Sequence, residues 1–256
     1  MDPSNHTAAR PRLGVVGPGR LGTALAAALE RAGYPVEGPA GRGEAPAGCD
    51  ALVLCVPDAE IPAAAAAVSG AAPLVGHTSG ATPLSALEPA AAAGRFGLHP
   101  LQTFAEGSGP EAFVGAGCAV AGDSPEALGL ARALAQDLGM TPFEIAEEGR
   151  AAYHAAASIA SNFLVTLEAA AERVAGGAGL GPGEARALLA PLVRRTVEQW
   201  SDSGPERALT GPVARGDDAT VASQREAVAA GAPELLALFD EFVERTRELA
   251  AREVTA

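Results

Sequence analysis

Three groups of residues have types and spacings that could do chemistry. The first is Gly17-Pro18-Gly19-Arg20-Leu21-Gly22, a G-x-G-x-x-G string. In such a string Gly17 permits a tight turn, Gly19 lets a ligand approach the backbone, and Gly22 lets the following helix pack closely. A helix opening on that turn directs free N–H groups and a partial positive charge at one spot, which suits a pyrophosphate. The second group is His154, Ser158 and Asn162, spaced by four, so that one helix would carry them on a single face. A solvated face would more often carry Glu or Arg, and a buried face none of these residues. A ligand cleft is therefore the expected setting, with hydrogen bonding at a dimer seam as the alternative. The third is the loop Leu209–Asp217, in which two glycines and a proline fix the path of Arg215 and Asp217. The planar fork of Arg215 suits a carboxylate. Asp217 could pair with it, or simply cap the next helix.

These residues need elements to place them. Leu13–Val16 reads as a buried strand, and residues 23–32 as a helix stopped by Gly33. A glycine string between strand and helix is the context of a dinucleotide site. A second strand begins at 35–37. Further strands are expected at 51–56, 74–77, 96–99 (stopped by Pro100), 117–121 and 142–146, with helices at 59–68 (capped by Asp58) and 125–138. Alternating strands and helices predict an α/β fold, a Rossmann-type, doubly wound, mostly parallel sheet. From about residue 149 the strand pattern stops. Helices are expected at 150–175, 182–200 (kinked at Pro191), 218–230 and 233–252. The chain thus divides into a dinucleotide-binding domain over 11–148 and an all-α domain over 149–256, after a loose tail.

Ligands of such sheets sit at the carboxyl ends of the strands. Val56-Pro57-Asp58, His77-Thr78-Ser79-Gly80 and His99-Pro100 fall there. His77 and Ser79 could wall a nicotinamide pocket or serve the turn. His99 and His154 are candidates for proton transfer, because imidazole titrates near neutral pH. Toward the adenosine, Glu37 lies where an acid could meet ribose hydroxyls, and Arg42, between two glycines, where a cation could meet a 2′-phosphate. Arg42 favours NADP over NAD. The segment from Val36 to Ala51 is too short for another helix and strand, so this side of the fold should be abbreviated.

Composition narrows the function. The net charge is −13, and no basic stripe is visible to replace phosphate counterions, which argues against nucleic acid and anionic lipid. No apolar run is long enough for a membrane helix, and the polar N-terminus lacks the core of a secretion signal. The three cysteines have no metal-like spacing and read as small hydrophobes in a reducing cytoplasm. All 18 basic residues are arginine, so no lysine can act as a general acid.

In order along the chain stand Gly17-x-Gly19-x-x-Gly22, Val56-Pro57-Asp58, His77-Thr78-Ser79-Gly80, His99-Pro100, Tyr153-His154-Ala155-Ala156, Asn162-x-Leu164-Val165-Thr166-Leu167 and Thr210-Gly211-Pro212-Val213-Ala214-Arg215-Gly216-Asp217. Together they resemble bacterial Rossmann-like proteins that carry a helical C-terminal domain of unknown function. That group is similar to pyrroline-5-carboxylate reductase, ketopantoate reductase, prephenate dehydrogenase and the 6-phosphogluconate dehydrogenase relatives. The resemblance implies NAD(P) binding, a cleft between domains and a homodimer formed through the helical domain. In the ketopantoate and hydroxyacid branches a lysine precedes an asparagine by four. If Asn162 is that asparagine, Ser158 stands where the lysine would be, so the lysine-free pyrroline-5-carboxylate branch is the nearer analogy.

The expected function is hydride transfer between NADP and a C=O or C=N bond of a small carboxylate. His154 or His99 would handle the proton, Ser158 and Asn162 would orient the substrate, and Arg215 would hold its carboxylate. The alternative is a non-catalytic protein that senses NADP or a metabolite on the same fold.

Overall fold

A computed structural model describes residues 10–253. The first unit begins with β1 (Leu13–Val16), all four residues buried, followed by α1 (Arg20–Arg31). α1 buries Gly22, Ala24, Leu25, Ala26, Ala28 and Leu29, an apolar stripe at helical spacing. Then come β2 (Val36–Ala40), β3 (Ala51–Leu54), α2 (Ile61–Ala67) and β4 (Leu74–His77). β5 (Gly94–Leu101), β6 (Gly117–Gly122), α3 (Pro125–Asp137) and β7 (Thr141–Glu144) complete the sheet. The strand order is β2-β1-β3-β4-β5-β6-β7, parallel throughout except between β5 and β6. One core, around Leu13, Leu25, Phe96, Leu98 and Leu134, takes in α1 and α3; a second, around Leu52, Leu54, Ile61 and Leu87, takes in α2.

The expected α/β class and its mostly parallel sheet are observed. β2 runs to β3 through Gly41–Asp50 without a helix and forms one edge of the sheet, so the adenosine side is abbreviated as the segment length implied. Three local expectations need correction. Pro100 does not end β5, which runs on to Leu101 and pairs Pro100 with Cys118. β4 accompanies β5 only to Gly97, so Pro100 lies where the strand is paired on one side, the setting that tolerates a missing N–H. Asp58 caps nothing; it opens a 3₁₀ turn, Asp58–Glu60, that precedes α2. The long helix expected over 150–175 is three pieces: α4 (Arg150–Ser158), a π-helical turn (Ile159–Phe163) and α5 (Leu164–Ala175). The expected tail lies, apart from residues 10 and 11, outside the described residues; Arg10 is ion-paired to Asp137.

The division between the two compact units falls between Ser161 and Asn162, later than the sequence suggested. α4 belongs to the first unit because Arg150 is buried there and Tyr153 meets the rings of His99 and Phe143 edge-on. The second unit holds α5, α6 (Pro182–Ser203), α7 (Pro205–Ala208), α8 (Asp218–Gly231) and α9 (Leu236–Glu253). No helix among the described residues is long and apolar enough to cross a membrane.

Candidate functional site

Two centres lie along the carboxyl edge of the parallel strands, both within the first unit. The glycine turn builds the first. Gly17 follows β1 at φ +109°, and its N–H donates to the carbonyl of Ala40 at 2.9 Å. A Cβ on Gly17 would lie 2.3 Å from the carbonyl oxygen of Cys55, and one on Gly22 would lie 1.9 Å from that of Gly17. Gly22 therefore brings α1 against the turn. Gly19 is different: a Cβ there meets nothing within 4 Å. Its bare face opens at the start of α1, where helix N–H groups are free. The protein does not need glycine at 19 for its own packing, whereas a ligand approaching the backbone would.

Beside the turn lies a cavity of about 570 Å³, lined by Gly17, Pro18, Gly19, Val56, Pro57, Ala63, Ala67 and the Gly41–Glu44 loop, among others. The small side chains of α2 form a flat apolar wall suited to an aromatic base. Arg42 also lines the cavity, and its Nη2 donates to both carboxylate oxygens of Glu60 at 2.8 Å. Glu37 is not in this cavity. It is ion-paired to Arg12 and stands beside Gly14 in the β1–β2 register, ahead of the carboxyl end of β2, so its place as the ribose acid is overturned. Arg20 and Leu21 belong to the first turn of α1 and do not line the cavity.

Histidines and a tyrosine form the second centre. His99 Nδ1 and Tyr153 Oη are 2.7 Å apart. The turn after β4 holds the other side of the ring, for a Cβ on Gly80 would lie 2.7 Å from His99 Cε1. Burial, then the neighbouring His154, push His99 down to about 4, so the ring is neutral at physiological pH. Burial pushes Tyr153 up to about 12. His154 is exposed, its ring centroid 6.4 Å from that of His99. Ser158 ends α4.

His77 cannot wall a ligand pocket with its ring, as the sequence allowed. It is fully buried at the end of β4, its Nδ1 accepts the Ser79 N–H at 3.2 Å, and its Nε2 has no partner. Burial and Arg150 hold it down, to about 4. The Ser79 hydroxyl is likewise taken up by the turn: it accepts the N–H groups of Ala81 and Thr82 and donates to Thr82 Oγ1 at 2.9 Å. Thr78 is buried in the same turn. These residues shape the seat of His99.

In the second unit Asn162 lies within the π turn, whose i→i+5 bonding breaks the four-residue face expected for His154, Ser158 and Asn162. Arg215 is exposed on a loop with Gly211 and Gly216 at positive φ. Asp217 caps α8, accepting from Thr220 N at 3.1 Å and Thr220 Oγ1 at 2.7 Å. No group of His, Cys, Asp or Glu among the described residues could hold a metal. Sequence reasoning overlooked Tyr153, Arg150 and Glu60 as functional groups. Tyr153 had a signal, as one of two tyrosines, standing next to His154.

The DUF2520 family, described as a domain of unknown function, matches residues 116–246, just over half of the chain. The chain belongs to this family. No curated protein matches the sequence. Among solved structures, this DUF2520 chain is similar to a candidate NADP oxidoreductase of Bacteroides fragilis at 20% identity and a TM-score of 0.79, with 94% of this chain and 99% of that one covered. A protein of Thermotoga maritima is 26% identical, with a TM-score of 0.75 and the same coverage. Pyrroline carboxylate reductase of Plasmodium falciparum, solved with NADP bound, is 13% identical at a TM-score of 0.59, again over 94% and 99% of the two chains. These likenesses show the DUF2520 chain to have the Rossmann-plus-helical fold.

Proposed function

We propose that the protein is an NADP-dependent oxidoreductase acting on the C=O or C=N bond of a small carboxylate. One observation carries the reading: the bare face of Gly19 opens beside a cavity with an apolar wall and an arginine. The residues fit a dinucleotide, with the Gly17–Gly22 turn and first N–H groups of α1 for the pyrophosphate, Ala63 and Ala67 for the base, and Arg42 for the 2′-phosphate. The structural neighbours support the same coenzyme.

Reduced NADP, when bound, supplies a hydride to the substrate carbon; this chain must supply the proton. We assign Tyr153 as the donor to His99 Nδ1, 2.7 Å away, an assignment that places the ring's own proton on Nε2. His99 Nε2–H then passes its proton to the substrate oxygen or nitrogen, while Nδ1 takes the Tyr153 proton. Burial disfavours the resulting phenolate and the positive field of Arg150 offsets part of that cost, so the phenolate is short-lived and regains a proton from solvent. His154 and Ser158 orient the substrate near this pair. Asn162 and Arg215 are proposed to contact the substrate, so that alanine at either raises KM without changing NADPH affinity. Exposed Leu188, Leu192 and Trp200 on α6 give a homodimer an apolar face, testable by light scattering.

The deciding experiment is a thermal melt with NADPH, with NADH and with neither, followed by NADPH oxidation against 2-keto acids and cyclic imines. Stabilisation by NADPH and turnover of one substrate class are expected. No shift with either nucleotide at millimolar concentration refutes the proposal. The abbreviated adenosine side and the absence of lysine favour a second reading, a sensor on the same fold, which would bind NADPH and turn over nothing.

A further inference from the structure

We infer that Glu60 is a coenzyme-selectivity residue, a resident competitor for Arg42 that also serves the unphosphorylated ribose. The inference rests on the coenzyme reading above and deepens it. Arg42 and Glu60 both line the nucleotide cavity, one on the β2–β3 connection and one at the start of α2. Both oxygens of the Glu60 carboxylate lie 2.8 Å from the same nitrogen, Nη2. Arg42 is the sole cation lining that cavity among the described residues. The other acid there, Glu44, is tied to the backbone through the Gly41 N–H at 2.9 Å.

A 2′-phosphate needs a cation and must take Arg42 from Glu60. The exchange is easy, because the Arg42 side chain is 84% exposed and such pairs contribute little. A phosphate brings nearly two negative charges and binds a guanidinium more strongly than a carboxylate does. The released Glu60 then stands beside the dianion that has taken its partner and repels it. NADH presents a hydroxyl instead, which a carboxylate accepts, and Glu60 is the acid positioned for it. Glu60 thus weakens NADPH, supports NADH, and keeps the preference narrow.

The test measures Kd for NADPH and NADH, by calorimetry, for the wild type, Glu60→Gln and Arg42→Ala. Glutamine keeps the size and removes the charge. The ratio of the NADH Kd to the NADPH Kd is expected to rise about tenfold in Glu60→Gln, equivalent to about 1.4 kcal/mol, and to fall in Arg42→Ala. The rise should shrink in 0.5 M salt, about the range where screening closes to a few ångströms. A ratio in Glu60→Gln that rises less than about threefold, or falls, overturns the inference while leaving NADPH binding intact. A wild type that binds neither nucleotide overturns the coenzyme reading itself, and this inference with it.

Discussion

Gly19 and Gly22 stand three residues apart in the same motif, yet the structure requires opposite outcomes when each becomes alanine. At Gly22 a methyl would sit 1.9 Å from the Gly17 oxygen and 3.1 Å from Cys55 Cβ, so α1 must retreat by about 1 Å to reach a tolerable contact. Overpacking of this kind costs about 1–3 kcal/mol. For a protein of this size that lowers the melting temperature by roughly 2–4 °C for each kcal/mol. At Gly19 the backbone is at φ −75° and ψ −179°, which alanine adopts freely, and the methyl enters open space. Gly19→Ala should therefore melt within about 2 °C of the wild type, the small capping penalty being offset by the stiffer unfolded chain. Its methyl occupies the surface that a pyrophosphate needs, so NADPH affinity should fall at least tenfold, about 1.4 kcal/mol. Calorimetric melts and NADPH titrations on both variants decide the matter. If Gly19→Ala binds NADPH like the wild type, the pyrophosphate does not rest on this turn. If Gly22→Ala melts with the wild type, the close approach of α1 is not tight.

Tyr153→Phe removes the partner of His99 Nδ1; kcat should drop about 100-fold or more while NADPH affinity stays within about twofold, and an unchanged kcat removes the proposed proton path. His77 and His99 titrate at about 4 in the fold and near 6.5 when unfolded. Between those values the unfolded chain binds more protons, so stability is full above about pH 6.5 and declines toward pH 4, by at most about 3 kcal/mol for each ring. Urea midpoints flat across that interval, or no flattening in His99→Asn, would contradict the buried neutral rings. Asp217→Ala deletes both capping bonds to Thr220 and should cost about 1 kcal/mol in unfolding of the helical unit.

Local chemistry made much of this legible in sequence. The glycine turn, the strands that bury both faces and the cap at Asp217 depend on residues within a few positions of one another. The missing helix before β3 followed from chain length alone. Contacts between distant segments were not legible. His99 and Tyr153 are 54 residues apart, and only the packing of α4 on β5 joins them. Arg42 was marked by its place between glycines, but its partner Glu60 was hidden in a turn that read as helix. Glu37 satisfied a spacing rule and failed because Arg12 holds it and the cavity begins past the end of its strand. The π turn has no breaker in Ile159–Phe163 to announce it, and none of its residues is buried.

An open sheet has two borders where backbone donors and acceptors face outward, and here these are β2 and β7. Each contains a proline, Pro39 in one and Pro142 in the other. A proline at a border offers no N–H to a stranger's strand, so each rim is a poorer template for another chain. The Gly-, Leu- and Val-rich ladder between them is thereby blunted at both ends, and valine at both prolines should increase self-association as protein concentration rises.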